Sequence, residues 1–314
     1  MNRYKAGFVE VALKIDVDTH QGLSEGVPRL MRALDSERIT ASFYTAMGPD
    51  NSGRAIVRAF RNRGFLSKMM RTKAVSMYGL RTVLSGTVLP SRPIALAFPE
   101  TLREIERAGF ELGVHGYDHV RWQDRIDSLN EDEIRAELED AFEAFRAVTG
   151  RPARAFAAPG WRTNTAASIL LDEAKLAYRS DTRGYAPYRC AVDGRVLATL
   201  EIPTTLPTLD EVMGRPGLSE PRAIFDFYLK LFKPDALNVH TIHAETEGMG
   251  QLDFFVELIR ALKGRGVKFV QVAEIGSRLK ASELPVCEIA RAEIEGRAGW
   301  IAAQGREISL WAAQ

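Results

Sequence analysis

The chain has 314 residues, of which 46% are hydrophobic, so it can bury one sizeable core or two small domains. Its formal net charge of +1 gives no reason to expect a strongly charged partner such as nucleic acid. Two cysteines are too few for a disulfide framework, and the sequence has neither a secretion signal nor an apolar run of about 18 residues. We therefore expect a reduced, cytoplasmic setting and no membrane-spanning segment.

Short apolar runs, which predict strands, alternate with longer amphipathic runs, which predict helices. The predicted strands cover 7–15, 40–46, 111–114, 153–158, 176–180, 197–202, 237–242 and 267–270. The predicted helices cover 25–34, 99–108, 131–148, 163–174, 222–232, 252–262 and 273–279. The helix predicted over 131–148 has clear ends, because Asn130 and Glu133 form a capping-box pattern and Gly150 stops the helix.

This alternation predicts an α/β fold with parallel strands joined by helical crossovers, in a barrel or a doubly wound sheet. No repeat or linker divides the chain, so we expect residues 1–314 to form a single domain. In such folds the chemistry collects at the carboxyl ends of the strands.

The segment 51–99 departs from the alternation because it contains nine basic residues and no acidic one. Large apolar residues lie between the basic ones, as in a helix that lies in a membrane interface. An ordinary helix pair packed on the domain would mix both charge signs, and nothing else in the chain suggests a nucleic-acid-binding fold. We therefore expect this insertion to face an anionic membrane surface. The candidate membrane-binding residues are Arg58, Phe60, Arg61, Phe65, Leu66, Lys68, Met69, Met70, Arg71 and Lys73.

Two histidines follow the predicted strand at 111–114. His115 and His119 form an H-x-x-x-H pattern, and on one helical turn both imidazoles would face the same way and reach one metal ion. Histidine pairs at this spacing are common, so a hydrogen-bonded structural pair is the alternative.

Two aspartates end the first predicted strand, in the sequence KIDVD. Asp16 and Asp18 point to the same side if the chain stays extended. Two carboxylates leaving a buried strand are unfavourable unless something pairs with them, and a metal ion would do so. One carboxylate can then bind the ion while the other acts as a base, whereas the alternative is that one of them caps the next helix.

A further histidine and two polar segments follow later strands. His243 ends the strand LNVHTI, while His240 should face the opposite way and is interpreted as structural. In AAPGWR the Pro-Gly pair predicts a tight turn near Gly160 that can present a backbone N–H to an oxyanion. All of these residues fall on the edge of the sheet where chemistry is expected.

Taken together, these motifs resemble the polysaccharide deacetylase (NodB-homology) superfamily. The resemblance implies a distorted (β/α)7 barrel that hydrolyses N-acyl groups on sugars with one divalent metal ion, such as Zn, Co or Mn. It implies that Asp18, His115 and His119 are the metal ligands, that Asp16 is the catalytic base and that His243 is the general acid.

Two departures from that pattern bear on the roles of individual residues. Val17 separates the aspartates, which are usually adjacent in the family, so the roles of base and ligand could be exchanged. The arginine that usually begins the third motif and tunes the base is replaced by Ala157 or a neighbour, so Arg162 or Arg183 is expected to substitute.

Longer segments, including EGVPRL, GPDNSGR, HGYDHVRWQ, IPTTLPTLDEV and EGRAGW, resemble one branch of the superfamily. That branch deformylates 4-deoxy-4-formamido-L-arabinose-phosphoundecaprenol in the lipid A modification linked to polymyxin resistance. The resemblance implies a lipid-linked amino-sugar substrate and attachment to the inner face of the cytoplasmic membrane. Residues expected to bind the substrate or the oxyanion are Gly160, Trp161, Arg162, Asp181 and Arg183.

Two other functions are compatible with the same motifs. One is a deacetylase of a soluble N-acetylated amino sugar, which would not need the basic apolar insertion. The other is a non-catalytic protein that binds polyprenyl-linked sugars, which would need neither a free carboxylate nor a general acid.

Overall fold

The structure is a computed structural model, and it describes residues 9–53 and 90–308. Its strands, in chain order, are β1 (Glu10–Val17), β2 (Ser42–Thr45), β3 (Pro49–Asp50), β4 (Arg92–Pro93), β5 (Glu111–Val114), β6 (Ala155–Phe156), β7 (Tyr178–Arg179), β8 (Tyr188–Val192), β9 (Arg195–Glu201), β10 (Val239–His243), β11 (Lys268–Val270), β12 (Val286–Glu293) and β13 (Trp300–Glu307). Its α-helices are α1 (Val27–Glu37), α2 (Pro99–Arg107), α3 (His119–Arg125), α4 (Glu131–Thr149), α5 (Thr165–Glu173), α6 (Leu209–Val212), α7 (Pro221–Leu231), α8 (Leu252–Gly264) and α9 (Val272–Ser277).

The described strands form one large sheet with the order β10-β1-β2-β5-β6-β7-β9-β8-β12-β13, and β11 pairs with β1. The neighbours from β10 to β9 along this order are parallel, whereas β8–β9 and β12–β13 are antiparallel. The prediction of an α/β fold with mainly parallel strands is therefore confirmed. The strand pairings within residues 9–53 and 90–308 do not show a sheet closed into a seven-stranded barrel, so the barrel stays a prediction.

The central strand β1 is buried along almost its whole length, as expected of a parallel strand covered on both faces. Its parallel register sets Asp16 beside His243 of β10 and Val17 beside Thr45 of β2. Thr45 in turn pairs with Val114 of β5, directly before His115. The carboxyl ends of these strands thus bring the predicted site residues to one edge.

The predicted ends of α4 are confirmed. Asn130 accepts a hydrogen bond from the N–H of Glu133, the Glu133 carboxylate accepts one from the N–H of Asn130, and Gly150 ends the helix in the left-handed conformation. This helix packs its buried face against the core beside β5, which fixes the loop that carries the two histidines of the H-x-x-x-H pattern.

The sequence analysis placed no strand after residue 270, but a long hairpin of β12 and β13 follows there and extends the sheet. Buried and exposed residues alternate only weakly along these two strands, which gave little strand signal in the sequence. The turn between them contains Gly296 and Gly299. The strand β8 was also missed.

The insertion predicted over 51–99 lies mostly outside the described residues. Its candidate membrane-binding residues, from Arg58 to Lys73, all belong to the range 54–89 that the structure does not describe. In the parts that are described, no helix combines the length and the apolar character needed to cross a membrane.

Candidate metal and catalytic site

A cavity opens at the carboxyl edge of the sheet and contains five residues predicted as metal ligands or proton carriers. Its walls come from the ends of β1, β5 and β10, from α3, from the turn after β6, from α6 and from the turn of the β12–β13 hairpin. The lining residues are Asp16, Asp18, His115, His119, Gln123, Gly160, Trp161, Asp210, His243, Glu245, Arg297 and Ala298. The residues that the motifs singled out from distant parts of the chain therefore share one site.

Asp18, His115 and His119 form a compact group. Their potential ligand atoms all lie within 4.8 Å of one another. The Nε2 atom of His115 lies 3.3 Å from Oδ1 of Asp18, and the Nε2 atom of His119 lies 3.5 Å from Oδ2. One carboxylate and two imidazoles are a donor set that zinc and similar divalent ions accept.

The hydrogen bond made by His115 orients its ring as a metal ligand requires. Its Nδ1 lies 2.8 Å from the carbonyl oxygen of Ala157 and donates to it, which leaves the lone pair of Nε2 facing the cavity. The buried Oδ1 atoms of Asp16 and Asp18 have no hydrogen-bond partner among the described residues. Buried carboxylate oxygens without donors are unfavourable, so a cation at this position fits the residues that are present.

The two histidines do not lie on one helical turn, and this part of the interpretation was wrong. His115 follows the end of β5, while His119 is the first residue of α3. Gly116, with φ of 77°, turns the chain between them, and Asp118 caps α3 by accepting from the N–H of Arg121. A glycine is required there because an L side chain rarely adopts this conformation. The rings still converge, with centroids 5.2 Å apart.

Glu245 fixes the backbone that carries Asp18. Its Oε1 accepts hydrogen bonds from the N–H of Asp18 (3.0 Å), from the N–H of Thr19 (2.9 Å) and from the hydroxyl of Thr19 (2.9 Å). Burial and the neighbouring Asp18 raise the pKa of Glu245 to about 8. The residue was present in the segment TIHAE but was not singled out from the sequence.

Lys14 is the cation that contacts Asp16. Its Nζ lies 3.3 Å from Oδ2 of Asp16 and 3.5 Å from the carbonyl oxygen of Ser180, and its side chain is fully buried. Neither Arg162 nor Arg183, which the sequence analysis offered for this position, has a contact with Asp16 among the described pairs. The available signal was a lysine within an otherwise apolar strand, two residues before Asp16 and therefore on the same face.

His243 faces Asp210 on the opposite wall of the cavity. Its Nδ1 lies 3.9 Å from Oδ1 of Asp210, which is an ion-pair distance. Burial by itself lowers the pKa of His243, but Asp18, Asp210, Asp16 and Glu247 together raise it to about 9. The imidazole is therefore protonated at neutral pH and can donate a proton.

The interpretation of His240 as structural is confirmed by its surroundings. It is buried between the rings of Tyr228 and Phe232, at centroid distances of 5.0 and 5.7 Å. Burial and the nearby charge of Arg183 lower its pKa to about 3. It does not line the cavity.

The Pro-Gly turn after β6 places a strained tryptophan at the cavity floor. Gly160 and Trp161 both have left-handed backbone conformations, with φ of 62° and 51°. Such a conformation is unusual for a bulky residue and is often found at functional sites. The N–H of Trp161 donates to the carbonyl of Ala158 at 3.1 Å and is thus engaged within its own turn.

Three cations surround the indole of Trp161. Nζ of Lys14 lies 5.4 Å from the ring centroid, and the guanidinium carbons of Arg183 and Arg297 lie 4.9 and 4.7 Å from it. The indole N–H donates to the hydroxyl of Thr204 at 3.1 Å. Cation–π contacts of this kind hold the charged groups in fixed positions.

Three residues predicted to bind substrate or an oxyanion do not line the cavity. Asp181 is buried beneath it, 3.7 Å from Nε of Arg179, and burial together with Glu201 raises its pKa to about 7. Arg162 packs over the ring of Trp300, at 4.6 Å. Arg183 forms an ion pair with both carboxylate oxygens of Glu211 in α6.

Besides Glu245, the cavity is lined by three further polar side chains that were not predicted. Gln123 of α3, Asp210 of α6 and Arg297 of the hairpin turn all line it. Each lies in a segment that resembled the deformylase branch, but no spacing rule pointed to the individual residue. They reach the site through long-range packing, which the sequence pattern does not reveal.

Known proteins resemble this chain over most of its length. The polysaccharide deacetylase family model matches residues 8–179. A protein of Shewanella sediminis named as 4-deoxy-4-formamido-L-arabinose-phosphoundecaprenol deformylase ArnD is 36% identical, over 96% of each chain. A protein of Wigglesworthia glossinidia brevipalpis with the same name is 32% identical, over 91% of this chain and 99% of its own.

Solved structures show the same fold at lower identity. A crystal structure of a polysaccharide deacetylase from Mycobacterium smegmatis has a TM-score of 0.63 at 22% identity, over 92% of this chain and 96% of that one. The Xyl-CE4 domain of a xylanase from a termite hindgut metagenome has a TM-score of 0.52 at 12% identity, over 89% of this chain and 96% of that one. The chain therefore belongs to the polysaccharide deacetylase family.

Proposed function

We propose that the protein is a metal-dependent hydrolase that removes the formyl group from 4-deoxy-4-formamido-L-arabinose-phosphoundecaprenol, in the lipid A modification linked to polymyxin resistance. The observation that carries the proposal is the compact, partly buried group of Asp18, His115 and His119, with Asp16 directly beside it. The choice of substrate is supported by relatives of that name that align over nearly the full chain.

One divalent ion, such as Zn, Co or Mn, would be held by Asp18, His115 and His119. When bound, it would supply Lewis acidity for the amide carbonyl and lower the pKa of a coordinated water. Support for its position comes from the fixed tautomer of His115 and from the two buried carboxylate oxygens without donors.

Asp16 is proposed as the base that accepts the proton of the attacking water. The ammonium of Lys14 contacts Oδ2 of Asp16, which leaves Oδ1 available towards the cavity. Lys14 also holds the carboxylate in position through an opposite charge 3.3 Å away.

His243 is proposed as the acid that protonates the departing amine, because an amine leaves poorly without a proton. Asp210 lies behind it and favours the imidazolium form. The two proton carriers, Asp16 and His243, are neighbours in the register of β1 and β10, so they can face the same scissile amide from adjacent strands.

Attachment to the inner face of the cytoplasmic membrane is part of the proposal. A polyprenyl phosphate stays in the bilayer, so the cavity has to reach the membrane surface. The basic and apolar composition of 51–99 supports this, since each basic residue near an anionic surface contributes on the order of 1 kcal/mol.

Formate release tests the reaction. The purified full chain should release formate from the lipid-linked formamido sugar, lose this activity with a chelator and regain it with added Zn, Co or Mn. The Asp18→Asn variant should not regain it. Faster turnover of an acetamido sugar than of its formamido counterpart would favour the soluble-sugar deacetylase, and binding without turnover would favour a storage protein.

Co-sedimentation with anionic liposomes tests the membrane surface. We expect binding at low salt that weakens at high salt, and loss of binding when Arg61, Lys68 and Arg71 are replaced by glutamine. A matched control replaces Arg222, Arg278 and Arg306, which are exposed elsewhere on the molecule. Equal losses in both variants, or no binding at low salt, would contradict a specific membrane-binding role for the insertion.

A further inference from the structure

The turn of the β12–β13 hairpin brings a guanidinium into the catalytic cavity. Arg297 lies on this turn and lines the cavity together with the metal-ligand group, and its side chain is 14% exposed. It belongs to the part of the chain beyond residue 179, where the family match ends. It therefore adds a charged group to the cavity from outside the part of the chain that the family model matches.

Arg297 makes few close polar contacts with the described residues. Nη2 donates to the carbonyl oxygen of Gly160 at 3.1 Å, which is an uncharged acceptor. Its ion-pair partner is Glu211, at 3.7 Å from Nη1, but that carboxylate already forms a two-pronged pair with Arg183 at 2.9 and 3.0 Å. The negative charges of Asp210, Glu211 and Asp18 all act on Arg297, and the Glu211 carboxylate is shared with Arg183.

The hydrogen-bonding capacity of this guanidinium is also incompletely used. A guanidinium carries five N–H donors in a planar fork, and the structure gives Arg297 one hydrogen bond among the described residues. The side chain lines the cavity and is partly exposed, so the donors that Gly160 does not use are available to a bound group there.

The turn holds the guanidinium in one place. Gly296 has φ of 88°, and a Cβ on it would lie 2.0 Å from the carbonyl oxygen of Glu211, so only glycine fits against α6. On the other side, the guanidinium of Arg297 packs over the ring of Trp161 at 4.7 Å. A cation held by backbone contact and an aromatic ring loses little freedom when an anion binds.

We propose that Arg297 binds the phosphate group of the substrate and so selects phosphate-linked sugars over neutral ones. The inference rests on the proposed function and deepens it by assigning the anion-binding group. A planar guanidinium suits two oxygens of one phosphate better than a single hydroxyl. The assignment replaces Arg183, the residue considered for the phosphate from the sequence, because Arg183 is held by Glu211 and does not line the cavity.

A pair of substrates that differ only in the phosphate tests this assignment. One is a formamido sugar linked through phosphate to a short, water-soluble prenyl chain, and the other is the same sugar as a neutral glycoside. For the metal-loaded full chain, we measure kcat/KM for both and take their ratio. In Arg297→Gln this ratio should fall roughly 10- to 100-fold, as expected for loss of a charge-assisted contact.

Two further variants make the result specific. Arg297→Lys keeps the charge but not the fork, so its ratio should lie between those of the wild type and the glutamine variant. Arg306→Gln removes an exposed arginine of the same hairpin and should leave the ratio unchanged. An unchanged ratio in Arg297→Gln, or an equal fall in Arg306→Gln, overturns the proposal.

Binding separates this inference from the proposed reaction. Calorimetry of a short prenyl phosphate with the chelator-treated full chain should give a Kd that rises at least about tenfold in Arg297→Gln and does not change in Arg306→Gln. Equal affinity in all three proteins overturns the inference. Absence of formate release from either sugar by the wild type would instead overturn the proposed function, whatever the binding result.

Discussion

The two walls of the cavity are built in different ways. The metal-ligand wall takes Asp18, His115 and His119 from the ends of β1 and β5, strands that are separated only by β2. The opposite wall takes His243 and Arg297 from segments far along the chain and sets them around Trp161. The register of parallel strands places Asp18, His115 and also His243 at one edge, whereas Arg297 reaches the second wall through packing between segments far apart in the chain.

This difference predicts where substitutions act. Changes on the metal-ligand wall should remove the ion and all activity, because the three donors form one coordination group. Changes on the opposite wall should leave the ion in place and alter proton transfer or substrate choice. Measuring bound metal and turnover in the same variants therefore separates the walls.

The largest effect is expected for His115→Ala. Loss of one of three protein ligands should strip the metal and reduce formate release by more than about 100-fold, since even partners behind a ligand contribute 10- to 100-fold. Metal content by mass spectrometry and formate release would be measured together. His240→Phe is the matched control, because it changes another buried histidine that lies among aromatic rings and should keep its metal. Full metal occupancy in His115→Ala would remove this residue from the ligand set.

The next effect concerns the proton carriers. Asp16→Asn and His243→Ala should each retain the metal and lose about 100- to 10,000-fold in kcat, the usual contribution of a general base or acid. The same two measurements apply. If Asp16→Asn loses the metal while Asp18→Asn keeps it, the roles of the two aspartates are the reverse of those proposed.

Much of the metal-ligand wall could be predicted because its residues follow strands at fixed spacings. Asp16 and Asp18 alternate at the end of β1, and His115 and His119 follow β5. Because both pairs follow strands, the sequence pattern alone predicts that the four side chains lie close together. The error concerned local geometry, because the turn at Gly116 breaks the helix that the H-x-x-x-H spacing suggested.

The opposite wall could be predicted only in part. His243 was found because it ends a strand, but Arg297 lies in the turn of a hairpin whose weak alternation gave no strand signal. Arg183 and Asp181 were expected in the cavity from their place after a strand, and their side chains are instead held by Glu211 and Arg179. Ion pairing across the fold decides such orientations, and it has no signature in the local sequence.

A smaller effect on activity is expected for Lys14, which links the two walls through Asp16 and Trp161. Lys14→Met leaves a buried carboxylate without its cation, which should cost about 3–5 kcal/mol of stability. A shifted carboxylate should also lower kcat, by up to about 100-fold. Urea unfolding and formate release measure the two effects.

Two comparisons sharpen the test of Lys14. Lys14→Arg should recover much of both losses, because it restores the charge. Lys268→Met removes a half-exposed lysine that lies 3.5 Å from Glu10, and it should change stability by less than about 1 kcal/mol. If Lys14→Met lowers stability but leaves kcat unchanged, Lys14 supports the fold and does not position the base.

The smallest effect is expected for Asp210→Asn, and it should depend on pH. His243 donates a proton, so activity requires the imidazolium and falls as the pH rises through its pKa. Asp210 is one of the carboxylates that raise this pKa to about 9 against the opposing effect of burial. A bound cation would offset the contribution of Asp18, so Asp210 would then account for a larger share of the raised pKa of His243.

Replacing Asp210 should move the alkaline limb of the kcat/KM profile to lower pH and leave the rate near pH 7 less affected. A displacement of one pH unit would reduce the rate above the limb by about tenfold. Asp226→Asn, which removes a half-exposed carboxylate paired with Arg222, should leave the limb in place. A uniform loss at every pH would show that Asp210 acts through the position of His243 and not through its charge.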